Sequence, residues 1–356
     1  MYKLGIDIGS TTVKIAILDN NNKCVFSDYR RHFADIQNTL ANILDDAKKE
    51  IGECSLSPVI TGSGGLSLAK EMKVPFLQEV VAVSAALDDY ALQTDVAIEL
   101  GGEDAKIIYF TNGVEQRMNG ICAGGTGSFI DQMASLIQTD ASGLNEYAKN
   151  YKAIYPIAAR CGVFAKTDIQ PLINEGATKE DLSASILQAV VNQTISGLAC
   201  GKPIRGNVAF LGGPLHFMSE LRAAFVRTLN LSEEQIIAPA NSHLFAATGS
   251  ALNYDEKISF EINDLIGQLR NGIKLNFEIK RLDPLFKDEA EYEEFLKRHD
   301  AHTVKKADLK DCHGNLYLGI DAGSTTTKVA LVDDSGNLVY SFYDNNNGSP
   351  LATSIR

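Results

Sequence analysis

The chain has 356 residues, 45% of them apolar, and carries a formal charge of −12 at pH 7 with a pI near 5.0. This length and apolar content predict two to three domain-sized units. The surplus of carboxylates argues against a nucleic-acid or anionic-membrane partner and favours small molecules and proteins. No segment approaches the roughly 20 apolar residues of a membrane span, and the start lacks a signal-peptide pattern, so we expect a cytoplasmic location.

The first 253 residues alternate between strand-like runs and helical periodicity, which predicts an α/β unit. The predicted strands are 2–8, 13–18, 23–29, 57–61, 94–100, 105–110 and 207–211. The clearest predicted helices are Ala34–Ile51, Val80–Leu92, Phe129–Ile137, Lys179–Cys200, Phe217–Leu229 and Ser242–Leu252.

Residues 254–315 include a charged stretch and show no strong alternation of apolar and polar residues. They are interpreted as a charged connector, partly helical around Asp288–His299. Residues 316–356 are predicted to be the truncated start of a second module. The domain prediction is therefore 1–253, 254–315 and 316–356.

A short phrase occurs twice in the chain. Leu4 to Lys14 reads LGIDIGSTTVK and Leu318 to Lys328 reads LGIDAGSTTTK, with nine of eleven positions identical at an offset of 314. A match of this quality indicates an internal repeat. One copy alone would also fit an ordinary Gly-Ser hairpin, and the second copy makes that alternative much weaker.

The repeated phrase has a chemical interpretation as a phosphate-binding hairpin. An apolar strand leads to Asp7, Gly9 allows a tight turn, Ser10, Thr11 and Thr12 offer hydroxyls and backbone N–H groups, and Lys14 opens the returning strand. Successive N–H groups at such a turn can hold phosphate oxygens. Asp7 is placed to bind Mg²⁺ through water.

Three further elements follow in order. Asp95 to Asp104 is a strand ending in the turn Gly101-Gly102, Phe210 to Pro214 is a strand ending in Gly212-Gly213, and Ala246 to Ala251 is a helix of small residues. The ordered set resembles the actin, sugar kinase and Hsp70 ATPase superfamily. The resemblance implies an α/β, actin-like ATPase fold with two subdomains around a nucleotide cleft.

Two cysteine segments resemble those of one particular family within this superfamily. They are Cys122-Ala-Gly-Gly-Thr-Gly-Ser-Phe-Ile-Asp131 and Arg160-Cys-Gly-Val-Phe-Ala-Lys-Thr-Asp168. They are similar to the cysteine segments of the ATP-dependent activators of 2-hydroxyacyl-CoA dehydratases and benzoyl-CoA reductases, the BadF/BadG/BcrA/BcrD family. The tandem layout is similar to the large two-module members of that family.

The resemblance implies an ATPase that binds MgATP between two subdomains. Gly9 to Thr12, Lys14 and Gly101-Gly102 would hold the phosphates, and Gly212-Gly213 would face the adenosine. Asp7, Glu99 and Glu103 are the implied catalytic residues, with Asp7 and Glu99 arranging Mg²⁺ and water. This chain has Glu99-Leu-Gly-Gly-Glu-Asp104 where smaller family members usually have Asp-Ile-Gly-Gly-Gln-Asp.

The resemblance also implies that Cys122 and Cys161 are ligands of a [4Fe–4S] cluster. Such a cluster usually has four cysteine ligands, so two protomers of a homodimer, or two modules of one chain, would share it. Without the family context, two buried structural cysteines are the commoner explanation. The implied acceptor is a 2-hydroxyacyl-CoA dehydratase-like iron–sulfur protein, and the implied donor is a ferredoxin or flavodoxin.

Two alternative functions stay open at the level of sequence. One is a sugar or small-molecule kinase of the same fold, in which Asp104 or Asp131 would act as the catalytic base. The other is a non-redox ATPase module that acts as a conformational scaffold, which the acidic residues Glu99 and Glu103 keep open.

Overall fold

The computed structural model describes residues 1–91, 93–111, 113–119, 124–158, 162–273 and 282–356. The chain divides into two units, the first of Met1–Asp168 with Lys179–Leu275 and the second of Ile169–Thr178 with Asn276–Arg356. In the described part of the chain, no helix has the length and apolar character needed to cross a lipid bilayer.

The first unit contains two five-stranded sheets with related topology. The strands of the first sheet are β1 (Tyr2–Ile8), β2 (Thr12–Leu18), β3 (Cys24–Arg31), β4 (Ser55–Thr61) and a later short strand (Phe260–Glu261). In this sheet β1, β2 and β3 form an antiparallel meander, and β4 pairs parallel with β1. The central strands are buried on both faces, as expected where helices cover a sheet.

The second sheet repeats this arrangement. Its strands are β5 (Val96–Leu100), β6 (Ala105–Tyr109), β7 (Glu115–Met118), β8 (Val208–Leu211) and β9 (Ile236–Ile237). Here β5, β6 and β7 form the meander, and β8 pairs parallel with β5. With β10 as the label of the Phe260–Glu261 strand, the orders are β10-β4-β1-β2-β3 and β7-β6-β5-β8-β9. Each sheet therefore has its first meander strand beside a parallel neighbour.

Helices cover both sheets. In chain order they are α1 (Ile36–Ile51), α2 (Gly65–Met72), α3 (Glu79–Tyr90), α4 (Gly127–Leu136), α5 (Ala141–Ala148), α6 (Gly162–Asn174), α7 (Lys179–Thr194), α8 (Gly213–Phe217), α9 (Ser219–Leu229), α10 (Phe245–Leu252) and α11 (Ile262–Arg270). The Asp35 side chain caps α1 by accepting from Asn38 N at 3.4 Å. Such a cap satisfies a backbone donor that the first helical turn leaves free.

Most predicted elements are confirmed, and two predicted helices differ. The predicted helix Lys179–Cys200 is α-helical to Thr194 and continues as a π-helix over Ile195–Ala199. The predicted helix Phe217–Leu229 is divided because Met218 has extended backbone angles, so that α8 ends before it and α9 begins after it. Neither change has a clear signal in the sequence.

Helix α10 explains why small residues occur between Ala246 and Ala251. A Cβ on Gly5 of β1 would lie 1.7 Å from the carbonyl oxygen of Ala247, and a Cβ on Gly249 would lie 1.7 Å from that of Ala82 in α3. No side chain fits at those distances, so glycine is required for α10 to pack between β1 and α3. The helix of small residues predicted at Ala246 to Ala251 therefore packs closely against its neighbours.

Residues beyond 253 also contribute to the first sheet. The strand β10 pairs with β4, and Ile262, Leu265 and Leu269 of α11 lie in the same apolar core as Leu40 and Leu44 of α1. This sheet and its core therefore extend to about residue 270. The predicted boundary at 253 stays a prediction about module organisation.

The second unit contains a three-stranded antiparallel sheet. Its elements are α12 (Glu289–Asp300), β11 (Leu316–Ala322), β12 (Thr326–Asp333), β13 (Leu338–Asn345) and α13 (Pro350–Ile355). The turn after β11 repeats the turn after β1: Gly323 N donates to Thr326 O at 3.0 Å, and Gly9 N donates to Thr12 O at 2.9 Å. The repeat in the sequence is thus also a repeat in local structure.

Candidate functional site

The three predicted glycine turns line one cavity in the first unit. They follow β1, β5 and β8, and β5 and β8 are parallel neighbours that end at the same edge of the second sheet. The predicted site residues that line the cavity are Asp7, Gly9, Ser10, Thr12, Lys14, Glu99, Gly101, Gly102, Gly212 and Gly213. The cavity therefore lies between the first sheet and the second.

Asp7 and Lys14 form a buried ion pair at the end of β1. Lys14 lies opposite Asp7 in the β1–β2 register, and its Nζ donates to Asp7 Oδ2 at 2.6 Å. The side chain of Lys14 is 13% exposed and that of Asp7 is 2% exposed. Burial lowers the pKa of Lys14, but the Asp7 carboxylate more than offsets this, so the net pKa is raised and the ammonium stays charged.

A second buried ion pair lies beneath the turn Gly101-Gly102. Lys106 Nζ is 2.7 Å from Glu79 Oε1 and 3.7 Å from Glu99 Oε2. Burial raises the pKa of Glu79 to about 7, helped by the nearby Glu99 carboxylate and opposed by Lys106. Glu79 and Lys106 line the cavity, although the sequence analysis did not single them out.

The donor set of the cavity fits Mg²⁺. Asp7 Oδ1 and Glu99 Oε2 are buried, and within the described residues neither accepts a hydrogen bond. Four carboxylates (Asp7, Glu79, Glu99, Asp104) and two lysines (Lys14, Lys106) line the cavity, which leaves two negative charges when all are ionised. Across the described ranges, no cluster of three or more His, Cys, Asp or Glu forms a direct metal cage. Mg²⁺ typically uses one or two carboxylates together with water and phosphate, which this site offers.

Two glycine turns are shaped by close approaches. Gly212 has φ +86°, and a Cβ there would lie 2.1 Å from the carbonyl oxygen of Leu100 on β5. A Cβ on Gly102 would lie 2.2 Å from Thr11 Oγ1, which brings the first and second turns into contact. Glycine at these positions lets the backbones approach one another and a phosphate group.

The start of α4 is hydrogen-bonded to the second glycine turn. Gly127 N donates to Gly101 O at 2.9 Å, and Ser128 N donates to Gly102 O at 2.7 Å. These N–H groups belong to the first turn of α4 and would otherwise lack a partner within the helix. The Gly101-Gly102 turn and the first turn of α4 are therefore directly connected.

A neighbouring cavity of about 180 Å³ lies beside the same turns. It is lined by Thr11, Gly102, Ser128 and Gly213, and by the apolar side chains of Pro214, Phe217 and Met218. Its rim includes Arg31 of β3 and Asp131 of α4, whose side chains form an ion pair of 2.7 Å. An apolar pocket with a few polar groups is typical of a small-molecule site.

An aromatic cluster lies at the third glycine turn. The rings of Tyr29, His216, Phe217 and His243 pack together, with the His216 and His243 centroids 3.8 Å apart. A Cβ on Gly213 would lie 2.4 Å from the Tyr29 hydroxyl. This tyrosine of the first sheet therefore contacts the turn after β8. Tyr29 and His243 line the cavity that the three glycine turns share. The cluster could not be predicted from the sequence, because most of its residues are far apart in the chain and form no motif.

The remaining predicted site residues are placed as follows. Thr11 lines the neighbouring cavity, whereas Glu103 is exposed and lies outside both cavities. Its catalytic role stays a prediction. Cys122 and Cys161 lie outside the described residues.

Comparisons with known proteins agree with this geometry. The sequence profile of the BadF/BadG/BcrA/BcrD ATPase family matches residues 4–253. The 2-hydroxyisocaproyl-CoA dehydratase activator of Clostridioides difficile is 30% identical over 258 residues, covering 71% of this chain and 94% of that protein. The (R)-2-hydroxyglutaryl-CoA dehydratase activating ATPase of Acidaminococcus fermentans is 31% identical over 221 residues, covering 60% of this chain and 83% of that protein.

Two solved structures share the fold. Component A of the Acidaminococcus fermentans (R)-2-hydroxyglutaryl-CoA dehydratase has a TM-score of 0.63 and 26% identity, covering 72% of this chain and 98% of that chain. The Clostridium difficile activator with bound ADPNP has a TM-score of 0.60 and 26% identity, covering 80% of this chain and 100% of that chain. The predicted fold class, an α/β actin-like ATPase, is confirmed.

Proposed function

The chain belongs to the BadF/BadG/BcrA/BcrD ATPase family, and from this premise we propose that it is an ATP-hydrolysing activator of a 2-hydroxyacyl-CoA dehydratase-like iron–sulfur protein. Relatives named as dehydratase activators support this role. Cys122 and Cys161 would hold a [4Fe–4S] cluster, which would supply the low-potential electron that ATP hydrolysis delivers to the acceptor, with a ferredoxin or flavodoxin as the electron donor.

One observation carries the proposal: the phosphate turn and the helix after the Cys122 segment are joined by two hydrogen bonds. Gly101 and Gly102 accept from Gly127 and Ser128 at the start of α4. Nucleotide-dependent movement of the turn would therefore move α4, and with it the chain that enters α4. Small shifts of this kind at an effector site are amplified by packed elements with two arrangements.

The cavity residues have distinct parts in hydrolysis. Gly9 to Thr12 and Gly101-Gly102 bind the phosphates, Lys14 holds Asp7 in place, and Gly212-Gly213 faces the adenosine. Asp7 Oδ1 and Glu99 Oε2 are the buried oxygens that would hold Mg²⁺ directly or through water. When bound, Mg²⁺ neutralises phosphate charge. Phosphoryl transfer depends mainly on such positioning and electrostatics.

The cluster would be held by Cys122 and Cys161, each followed by a helix. A Cβ on Gly162, the first residue of α6, would lie 3.2 Å from Gln132 Oε1 and 3.8 Å from Phe129, both in α4. The start of α6 thus lies against α4, which supports a common site for the two cysteine segments. Helix N-termini favour an anionic group.

Exposed apolar residues support a protein contact next to this site. Val163 and Phe164, two and three residues after Cys161, are 68% and 63% exposed. We propose that a second protomer covers this face, because a two-fold contact converts two cysteines into four ligands. Pairing with a second module of the same polypeptide would give the same ligand number.

Anaerobic reconstitution of the full chain tests the proposal. We expect bound iron and sulfide in the wild type, together with MgATP hydrolysis. Cys122→Ala and Cys161→Ala should lose the iron, whereas the matched control Cys200→Ala should keep it, because Cys200 is an exposed cysteine that belongs to neither segment. ATPase activity in an iron-free protein would favour the scaffold, and phosphorylation of an added sugar would favour the kinase.

A further inference from the structure

Lys106 is a buried charge in the nucleotide cavity that the proposed mechanism does not use. Its side chain is 5% exposed and lies between two carboxylates, Glu79 at the first position of α3 and Glu99 on β5. In the antiparallel register of β5 and β6, Lys106 lies directly opposite Glu99. Three elements therefore place charged groups at one point behind the Gly101-Gly102 turn.

The two contacts of Lys106 are unequal. The ammonium is 2.7 Å from Glu79 Oε1, within hydrogen-bond range, but 3.7 Å from Glu99 Oε2, beyond it. The ammonium is therefore hydrogen-bonded to Glu79 and not to Glu99. As a result, Glu99 Oε2 is oriented by a nearby positive charge and is still buried without a hydrogen-bond partner in the described part of the chain.

Stability alone is a weak reason for this arrangement. Removing charges from water costs several kcal/mol per ion, and apolar residues of similar volume often stabilise a fold equally well. A buried lysine placed between two carboxylates in a cavity indicates a functional role more than a packing role.

We propose that Lys106, held in place by Glu79, is a positioning residue that orients Glu99 toward Mg²⁺ and the attacking water during ATP hydrolysis. The inference rests on the proposed function, and it assigns roles to two residues of this chain beyond the phosphate turns. In this arrangement Glu99 acts on the reaction, Lys106 acts through Glu99, and Glu79 acts through Lys106.

The variant Glu79→Ala tests the proposal without leaving the ammonium unpaired. Released from Glu79, Lys106 is free to move onto Glu99 Oε2 and block that oxygen. We expect kcat for ATP hydrolysis to fall at least about tenfold, because sub-ångström misplacement of a catalytic group is costly. ATP affinity measured without Mg²⁺ should stay within about threefold, since the phosphate turns are intact.

A second readout does not depend on turnover. Mg²⁺ is titrated into the protein with a fluorescent ADP analogue bound, and we expect the half-maximal Mg²⁺ concentration to rise at least about threefold in Glu79→Ala. Glu115→Ala is the matched control, because Glu115 also pairs with a lysine of the same unit, Lys202, but on the exposed strand β7. It should change neither kcat nor the Mg²⁺ titration.

The outcomes distinguish a failure of the proposed function from a failure of the positioning role. A wild-type protein that neither binds nor hydrolyses ATP contradicts the proposed function itself. Wild-type hydrolysis with unchanged kcat and Mg²⁺ titration in Glu79→Ala overturns the positioning role and leaves the proposed function standing. Lys106→Met is the harsher variant, with a larger expected loss of kcat. If it does not fold, Glu79→Ala alone decides.

Discussion

Arg31 and Asp131 join β3 of the first sheet to α4 through an ion pair of 2.7 Å, although the two residues are 100 positions apart. Helix α4 is thus fixed at its first turn by Gly101 and Gly102 and near its second turn by Arg31. The side chains are 51% and 36% exposed, so we expect Asp131→Asn to change the free energy of unfolding by less than about 1 kcal/mol.

The larger expected effect of Asp131→Asn is on coupling. In the reconstituted protein, the rate at which a chelator removes iron should differ between MgATP and MgADP, and Asp131→Asn should reduce that difference at least about threefold. Asp46→Asn is the matched control, since Asp46 pairs with Arg30 at 2.7 Å at similar exposure but within the first sheet and α1. Equal ratios in wild type and Asp131→Asn would show that the ion pair does not carry the coupling.

Asp7 is the second test. Asp7→Ala should reduce ATP hydrolysis about 10²-fold or more, because it removes a carboxylate oxygen proposed to hold Mg²⁺. The repeat supplies a control of the same chemistry: Asp321, which is 3.1 Å from Lys328, occupies the matching place in the second hairpin. No second Gly-Gly turn follows it within residues 323–356, so Asp321→Ala should leave turnover unchanged. Unchanged turnover in Asp7→Ala would remove Asp7 from the mechanism.

Much of the cavity could be predicted from the sequence because it is formed by backbone turns that glycine residues mark. An apolar strand that ends in Gly9, Gly101 or Gly212 is recognisable locally, and the second and third turns need glycine because of the close approaches at Gly102 and Gly212. The strands were therefore predicted well, and the order of the turns predicted the fold.

The charged partners could not be predicted in this way. Glu79 and Lys106 are 27 positions apart in the chain, and an ion pair between a helix start and a strand has no local periodicity. The contact between Tyr29 and His243 could not be predicted for the same reason. It forms only when the first sheet and the third glycine turn come together. Glu103 was predicted to be catalytic from its place in a glycine motif; its side chain is exposed, and the role stays a prediction.

Gly212 provides a test of the third turn. An alanine there would combine a positive φ of 86° with a Cβ 2.1 Å from the Leu100 carbonyl oxygen, so we expect a loss of about 3 kcal/mol or more in the free energy of unfolding. Gly52→Ala isolates the first effect, because Gly52 has φ 78° with nothing within 4 Å, and should cost only about 1–2 kcal/mol. Urea denaturation measures both. Equal losses would mean that the β5–β8 approach is looser than described.

The pH dependence of stability provides the last test, through His243. Burial, His216 and Lys14 together lower the pKa of His243 to about 4, and Tyr29 and Phe217 cover its ring. Between an unfolded pKa near 6.5 and the folded value of about 4, the unfolded state binds more protons, so stability falls as the pH drops through this window. Below pH 4 both states are protonated and the loss is complete. His243→Gln should therefore show a smaller drop in urea midpoint between pH 7.5 and pH 5 than the wild type, because this interval covers about 1.5 pH units of the window. His299→Gln, an exposed histidine of α12, is the control and should follow the wild-type curve. A His243→Gln curve that also follows the wild type would show that this ring titrates normally in the folded protein.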